Sequence, residues 1–123
     1  MKNNHGSGDL KGNYASKTEF IFYCMKGRKL LNNGRHHNVL EYKKTLNNLH
    51  PTEKPVDMFE FLIAKSSNER DLILDVFAGS GTTGIACMNT NRQFILMEKE
   101  EKYYNTILKR IEDHKLELCK KKD

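Results

Sequence analysis

The feature that most limits what this chain can become is an apolar run that breaks into glycines. Leu72-Ile73-Leu74-Asp75-Val76-Phe77 leads directly into Ala78-Gly79-Ser80-Gly81-Thr82-Thr83-Gly84. A short apolar run without polar alternation fits a strand buried in a parallel sheet. Gly79, Gly81 and Gly84 meet the G-x-G-x-x-G spacing, and a helix is expected to open at this turn and run to about Asn89. Gln93 to Glu98 reads as a second buried strand closing on an acid. Tyr104, Ile107, Leu108 and Ile111 then recur at helical spacing and predict a long charged helix. Strand, glycine turn, helix, strand and helix make a βαβα unit, so the expected class is α/β with parallel strands and a right-handed crossover.

The chain before this unit is less regular. Val56, Phe59, Leu62 and Ile63 predict an amphipathic helix over 56–66, with Pro55 suited to its first turn. Thr18 to Met25 is aromatic and β-branched and reads as a strand. Residues 1–17 read as loop and 26–49 as a long surface segment. At 123 residues there is room for one domain, and 37% hydrophobic content without tryptophan implies a small core. No apolar run approaches the ~18 residues of a membrane span, and the N-terminus lacks a signal peptide pattern. Three widely spaced cysteines (Cys24, Cys87, Cys119) fit reduced thiols, so a cytoplasmic setting is expected. Cys87 is expected to be a small core residue.

The glycine turn and the following acid define a chemistry. Glycines admit close approach of a ligand to the backbone, and a helix N-terminus presents N–H groups without intrahelical partners. A carboxylate ending the second strand can accept both hydroxyls of a ribose. The plainest alternative is a tight turn with no ligand. A dinucleotide would place its pyrophosphate at the helix N-terminus, where Asp75 at the end of the first strand would repel it. That acid pairs instead with an ammonium group. S-adenosylmethionine carries an ammonium and no phosphate, and the site chemistry favours it over a dinucleotide.

With these residues in place, the sequence resembles the DNA adenine-N6 and cytosine-N4 methyltransferases. The likeness is narrowest to the permuted, beta-type group, in which the cofactor-binding region follows the catalytic and target-recognition regions. His50-Pro51-Thr52-Glu53-Lys54-Pro55 is similar to that group's His-Pro-Thr-x-Lys-Pro loop. Leu74 to Thr83 is similar to its Asp-Pro-Phe-x-Gly-Ser-Gly-Thr-Thr signature, with Val76 in place of proline. Glu98 falls where the ribose-binding acid falls, followed by Tyr103-Tyr104. A weaker likeness covers residues 6–30. The resemblance implies a partial Rossmann-like methyltransferase fold, truncated N-terminally. Its expected parts are a remnant strand with a target-recognition-like segment over 1–49, a cofactor-binding βαβα region over 50–118, and a basic tail over 119–123.

The resemblance also assigns roles. Asp75 would lie near the methionine amino group and Phe77 against the adenosine. Gly79, Ser80 and Gly81 would offer backbone contacts beside Thr82, Glu98 would hold the ribose, and Thr52 and Lys54 would close over the carboxylate end. Double-stranded DNA is the implied partner, which the net charge of +5 permits, with Arg28, Lys29 and Arg35 as candidate phosphate contacts. The family's (Asp/Asn/Ser)-Pro-Pro-(Tyr/Phe/Trp) motif, which receives the flipped base, is missing: the chain has two prolines, Pro51 and Pro55, and they are not adjacent. No catalytic residue is therefore assigned, and a chain supplying that motif is an implied partner. A non-catalytic remnant is the competing reading. His5, His36 and His37 lack a third ligand at sensible spacing, so no metal is expected. Exposed sheet edges would favour aggregation or a homo-oligomer.

Overall fold

Leu72 to Asp75 and Gln93 to Leu96 are apolar stretches flanked by residues that halt a strand, and they pair as the parallel strands β1 (Leu72–Asp75) and β2 (Gln93–Leu96). The computed structural model describes residues 18–43 and 53–120. Around the sheet lie α1 (Val56–Ser66), α2 (Thr82–Asn89) and α3 (Glu101–Lys120). The register sets Leu72 against Gln93 and Asp75 against Leu96. Backbone bonds carry the pairing past both ends, from Arg70 N–H to the Asn91 carbonyl (2.8 Å) and from Ala78 N–H to the Met97 carbonyl (3.0 Å). The fold is α/β, and the βαβα order expected from the sequence is the order observed. No helix among the described residues is long and apolar enough to cross a membrane.

The centre of the molecule is α2, whose residues from Thr82 to Cys87 are all buried. It packs on one face of the sheet with α1 to one side and α3 to the other. Ile63 of α1 meets Ala86 and Cys87, and Val56, Phe59, Ile73 and Phe94 close around them. Gly84 makes this proximity feasible: a Cβ there would stand 2.8 Å from Leu96 Cδ1 and 3.6 Å from Phe94 and Ile111. Gly81, the N-cap of α2, holds a left-handed φ of 81°. A Cβ at that position would also press on Ile107 Cγ1 of α3 at 3.1 Å.

Four expectations change. Thr18 to Met25 forms no strand; it lies on the surface, with Phe20 and Phe22 about nine-tenths exposed. A strand needs a neighbour to take its backbone groups, and this segment joins neither strand of the described sheet. The two paired strands are shorter than their apolar runs, so Val76 and Glu98 fall beyond them. Nor are they buried on both sides. Ile73, Asp75, Phe94 and Leu96 face the helices, while Leu72, Leu74 and Ile95 on the other face remain about half exposed. At the far end, α3 continues through Lys120 and takes in Cys119, which the sequence assigned to a tail.

Residues 26–43 adopt neither helix nor strand, yet they are anchored. Asn32 completes the C-terminus of α1: its Nδ2 donates to the Ala64 carbonyl at 2.9 Å and to the Ser67 carbonyl at 2.6 Å, and its N–H donates to the Lys65 carbonyl. Lys65 returns the contact by donating from Nζ to the carbonyls of Asn32, Asn33 and Gly34. These bonds take up carbonyls that a helix end leaves unpaired.

Two measurements test this arrangement. Gly81→Ala combines a left-handed backbone with contact against Ile107, and we expect a loss of about 1–2 kcal/mol, read by urea unfolding. Burial pushes the Cys87 thiol up to about 11. Native protein should therefore react with a thiol reagent at the exposed Cys24 and Cys119, and at Cys87 only after unfolding. The same shift makes a stabilising contribution that is complete below pH 9, the unfolded value, and is lost as pH rises toward about 11.

Candidate cofactor site

Parallel strands bring their C-terminal ends together, and β1 and β2 deliver two acids to one edge of the sheet. Asp75 is the last residue of β1 and lies on the helix-covered face. Its Oδ1 accepts the Phe77 N–H at 3.0 Å, and its Oδ2 accepts the Thr83 hydroxyl at 2.5 Å. The strand end is thereby fastened to the first turn of α2. Glu98 follows β2 and reaches back to the glycine turn: its Oε2 accepts the Gly79 N–H at 2.8 Å and its Oε1 the Glu100 N–H at 2.9 Å. A carboxylate offers about four acceptor positions, so each acid can organise the turn and still receive a ligand's donors. Gly79 itself sits at φ 55°, a conformation that aims its N–H at Glu98 and costs a glycine little.

Between these acids opens a cleft of about 780 Å³ lined by Lys54, Asp75, Phe77, Gly79, Ser80, Thr82 and Glu98. The volume is of the size that takes a nucleoside-sized ligand. Phe77 is 89% exposed, so its ring forms an open apolar wall on which a planar group could stack. Seven of the residues expected from the sequence thus converge. Gly81 does not line the cleft; it sits behind the turn against Ile107. Thr52 lies outside the described residues.

Lys54 carries an ion pair with Glu19, from the segment that precedes the basic loop. Of the candidate phosphate contacts, Arg28 and Arg35 are exposed, and Lys29 donates to the Ser66 carbonyl at 3.1 Å. Lys29 therefore meets α1 at its C-terminal end, whereas Lys54 precedes its N-terminus, ~16 Å away along the helix. His36 packs its ring edge-on against Phe61, with centroids 4.6 Å apart. No group of three or more His, Cys, Asp or Glu among the described residues could hold a metal ion.

Three residues at the site escaped the sequence reading. Thr83 could have been found, since its hydroxyl stands in the glycine turn itself. Glu53 and Arg110 could not: they pair at 3.0 Å across a long stretch of chain, with the Glu53 side chain only 2% exposed. Removing the Thr83 hydroxyl with Thr83→Val should cost about 1 kcal/mol of stability through the lost bond to Asp75, while Thr83→Ser should cost less than half of that; denaturant melts compare the two.

The geometry has relatives. A family model described as DNA methylase, covering N6 and N4 enzymes, matches residues 32–109. YubD of Escherichia coli (strain K12), which carries a methylase name, is 36% identical over 74% of this chain and 43% of its own length. The type II methyltransferase M2.DpnII of Streptococcus pneumoniae is 44% identical over 51% of this chain and 24% of its own. The crystal structure of the M1.HpyAVI–SAM complex aligns with a TM-score of 0.54 at 37% identity, covering 79% of this chain and 46% of that one. The chain thus spans less than half the length of each of these relatives. With the family model matching more than half of the sequence, the chain belongs to the N6/N4 DNA methylase family.

Proposed function

We propose that this chain provides the S-adenosylmethionine-binding portion of a DNA amino-methyltransferase acting on adenine N6 or cytosine N4. The observation that carries the reading is the convergence of Asp75 and Glu98 at the ends of two parallel strands, on either side of a glycine turn. A cationic ligand with a ribose suits that pair of carboxylates, and a pyrophosphate does not. The related M1.HpyAVI was crystallised with this cofactor. Asp75 would receive the amino group, Glu98 the ribose hydroxyls, and Phe77 would flank the adenosine. Gly79, Ser80, Gly81 and Thr82 would contribute the turn, with Lys54 and Thr52 at the carboxylate end. When bound, the cofactor supplies an activated methyl group; the residues of this chain hold and orient it.

Receipt of the base is a separate task. The family's Pro-Pro motif has no counterpart here, because Pro51 and Pro55 stand apart. We therefore infer that methyl transfer requires a polypeptide carrying that motif, and that DNA is the shared substrate. Arg28, Lys29 and Arg35 would then contribute phosphate contacts from the segment docked on α1. The same missing motif supports the competing reading, in which the chain binds cofactor and takes no part in catalysis.

Calorimetry tests the cofactor assignment that both readings share. We expect heat with S-adenosylmethionine and none with NAD, and Asp75→Ala should weaken the cofactor about a hundredfold through loss of a charge-assisted contact. Equal binding of both ligands, or of neither, would refute the cofactor assignment. In a labelled-methyl assay on DNA the chain alone should be silent and should gain activity with a polypeptide bearing a Pro-Pro-Tyr-type motif. Transfer by the chain alone would contradict its incompleteness, and silence in both mixtures would favour the non-catalytic reading.

A further inference from the structure

Arg110 lies on α3, outside the cleft, yet one nitrogen of its guanidinium touches two segments that form the cleft wall. Nη1 donates to the Ser80 carbonyl at 3.0 Å and to Ser80 Oγ at 3.1 Å. The same nitrogen pairs with Glu53 Oε1 at 3.0 Å and lies 3.4 Å from Thr82 Oγ1. The Thr82 hydroxyl in turn donates to the Lys54 carbonyl at 3.4 Å. The Glu53 and Arg110 side chains are 2% and 16% exposed, so the pair is largely withdrawn from water. A carboxylate that deep is costly to keep unless a partner and its geometry compensate it. Bracing α3 against α2 needs no such pair, because Ile107 and Ile111 already lie against Gly81 and Gly84.

We propose that Arg110 and Glu53 form a latch that holds the segment bearing Lys54 against the glycine turn, making Arg110 a positioning residue for the carboxylate end of the cofactor. The proposal rests on the S-adenosylmethionine reading of the cleft and adds a residue that does not touch the ligand. The turn has an anchor of its own, since Glu98 holds Gly79 and Asp75 holds Thr83. Loss of Arg110 therefore releases Lys54 more than it disturbs the turn. The amino-acid end of a ligand should suffer, and the nucleoside end, beside Glu98 and Phe77, should not.

Two ligands divide these ends. S-adenosylhomocysteine carries both, and 5′-methylthioadenosine carries the nucleoside without the amino acid. In calorimetry on the full chain, Arg110→Met and Glu53→Gln should each weaken S-adenosylhomocysteine about tenfold, and the double variant should be scarcely worse than either. Binding of methylthioadenosine should change less than about twofold under the same principle of local coupling. Arg110→Lys keeps the charge one bond short of its target and should restore much of the affinity; it is also the milder variant should Arg110→Met fail to fold. Parallel loss of both ligands, additive single effects, or no loss at all would overturn the latch. If the wild-type chain binds neither ligand, the cofactor reading fails, and amide exchange decides the contact alone. Exchange at Glu53 and Lys54 should then be at least about tenfold faster in Arg110→Met, and unchanged exchange would overturn it.

Discussion

Everything in this molecule depends on how closely α2 approaches β2. A helix without a side chain at Gly84 can settle onto Phe94 and Leu96, and that position buries every residue from Thr82 to Cys87. The approach also fixes where the helix begins. Because α2 is pressed to the sheet, Thr83 arrives beside the end of β1 and meets Asp75. The glycine turn, confined between strand end and helix start, must then take positive φ at Gly79 and Gly81. The site is thus a by-product of packing before it is anything chemical. One glycine sets the layer spacing, and two others absorb the resulting bend.

Asp75 and Glu98 show why structural and functional roles need not compete. Each carboxylate has taken a backbone or hydroxyl donor from its own surroundings, which locks its orientation before any ligand arrives. Such preorganisation reduces the ordering cost of binding, because the side chain has no rotamer freedom left to lose. It also explains how two acids at one sheet edge are kept in place: each is held by N–H or O–H dipoles directed at it.

The parts legible from the sequence were those written in local patterns. Helix α1 declared itself through Val56, Phe59, Leu62 and Ile63, and the βαβα order through alternating apolar runs and glycines. Asp75 and Glu98 could be paired because parallel strands bring like ends together. The parts that stayed hidden depend on contacts between distant residues. Thr18 to Met25 has the composition of a strand, but composition cannot supply the neighbour a strand requires. Leu74 and Ile95 look like interior residues, although only one face of the sheet is covered among the described elements. Asn32 completes a helix it does not belong to, and Arg110 is one charged residue among many on a charged helix until the fold sets it beside Glu53.

The half-covered sheet has a calorimetric consequence. Unfolding raises the heat capacity in proportion to the apolar surface newly wetted, and Leu72, Leu74, Ile95 and Met97 are already about half wet in the native chain. Their share of that increment is thereby reduced. The stability curve of this chain should therefore be flatter with temperature than that of a domain of equal length with both faces covered. Whatever polypeptide or segment came to lie on that face would sharpen the curve, as well as raise it.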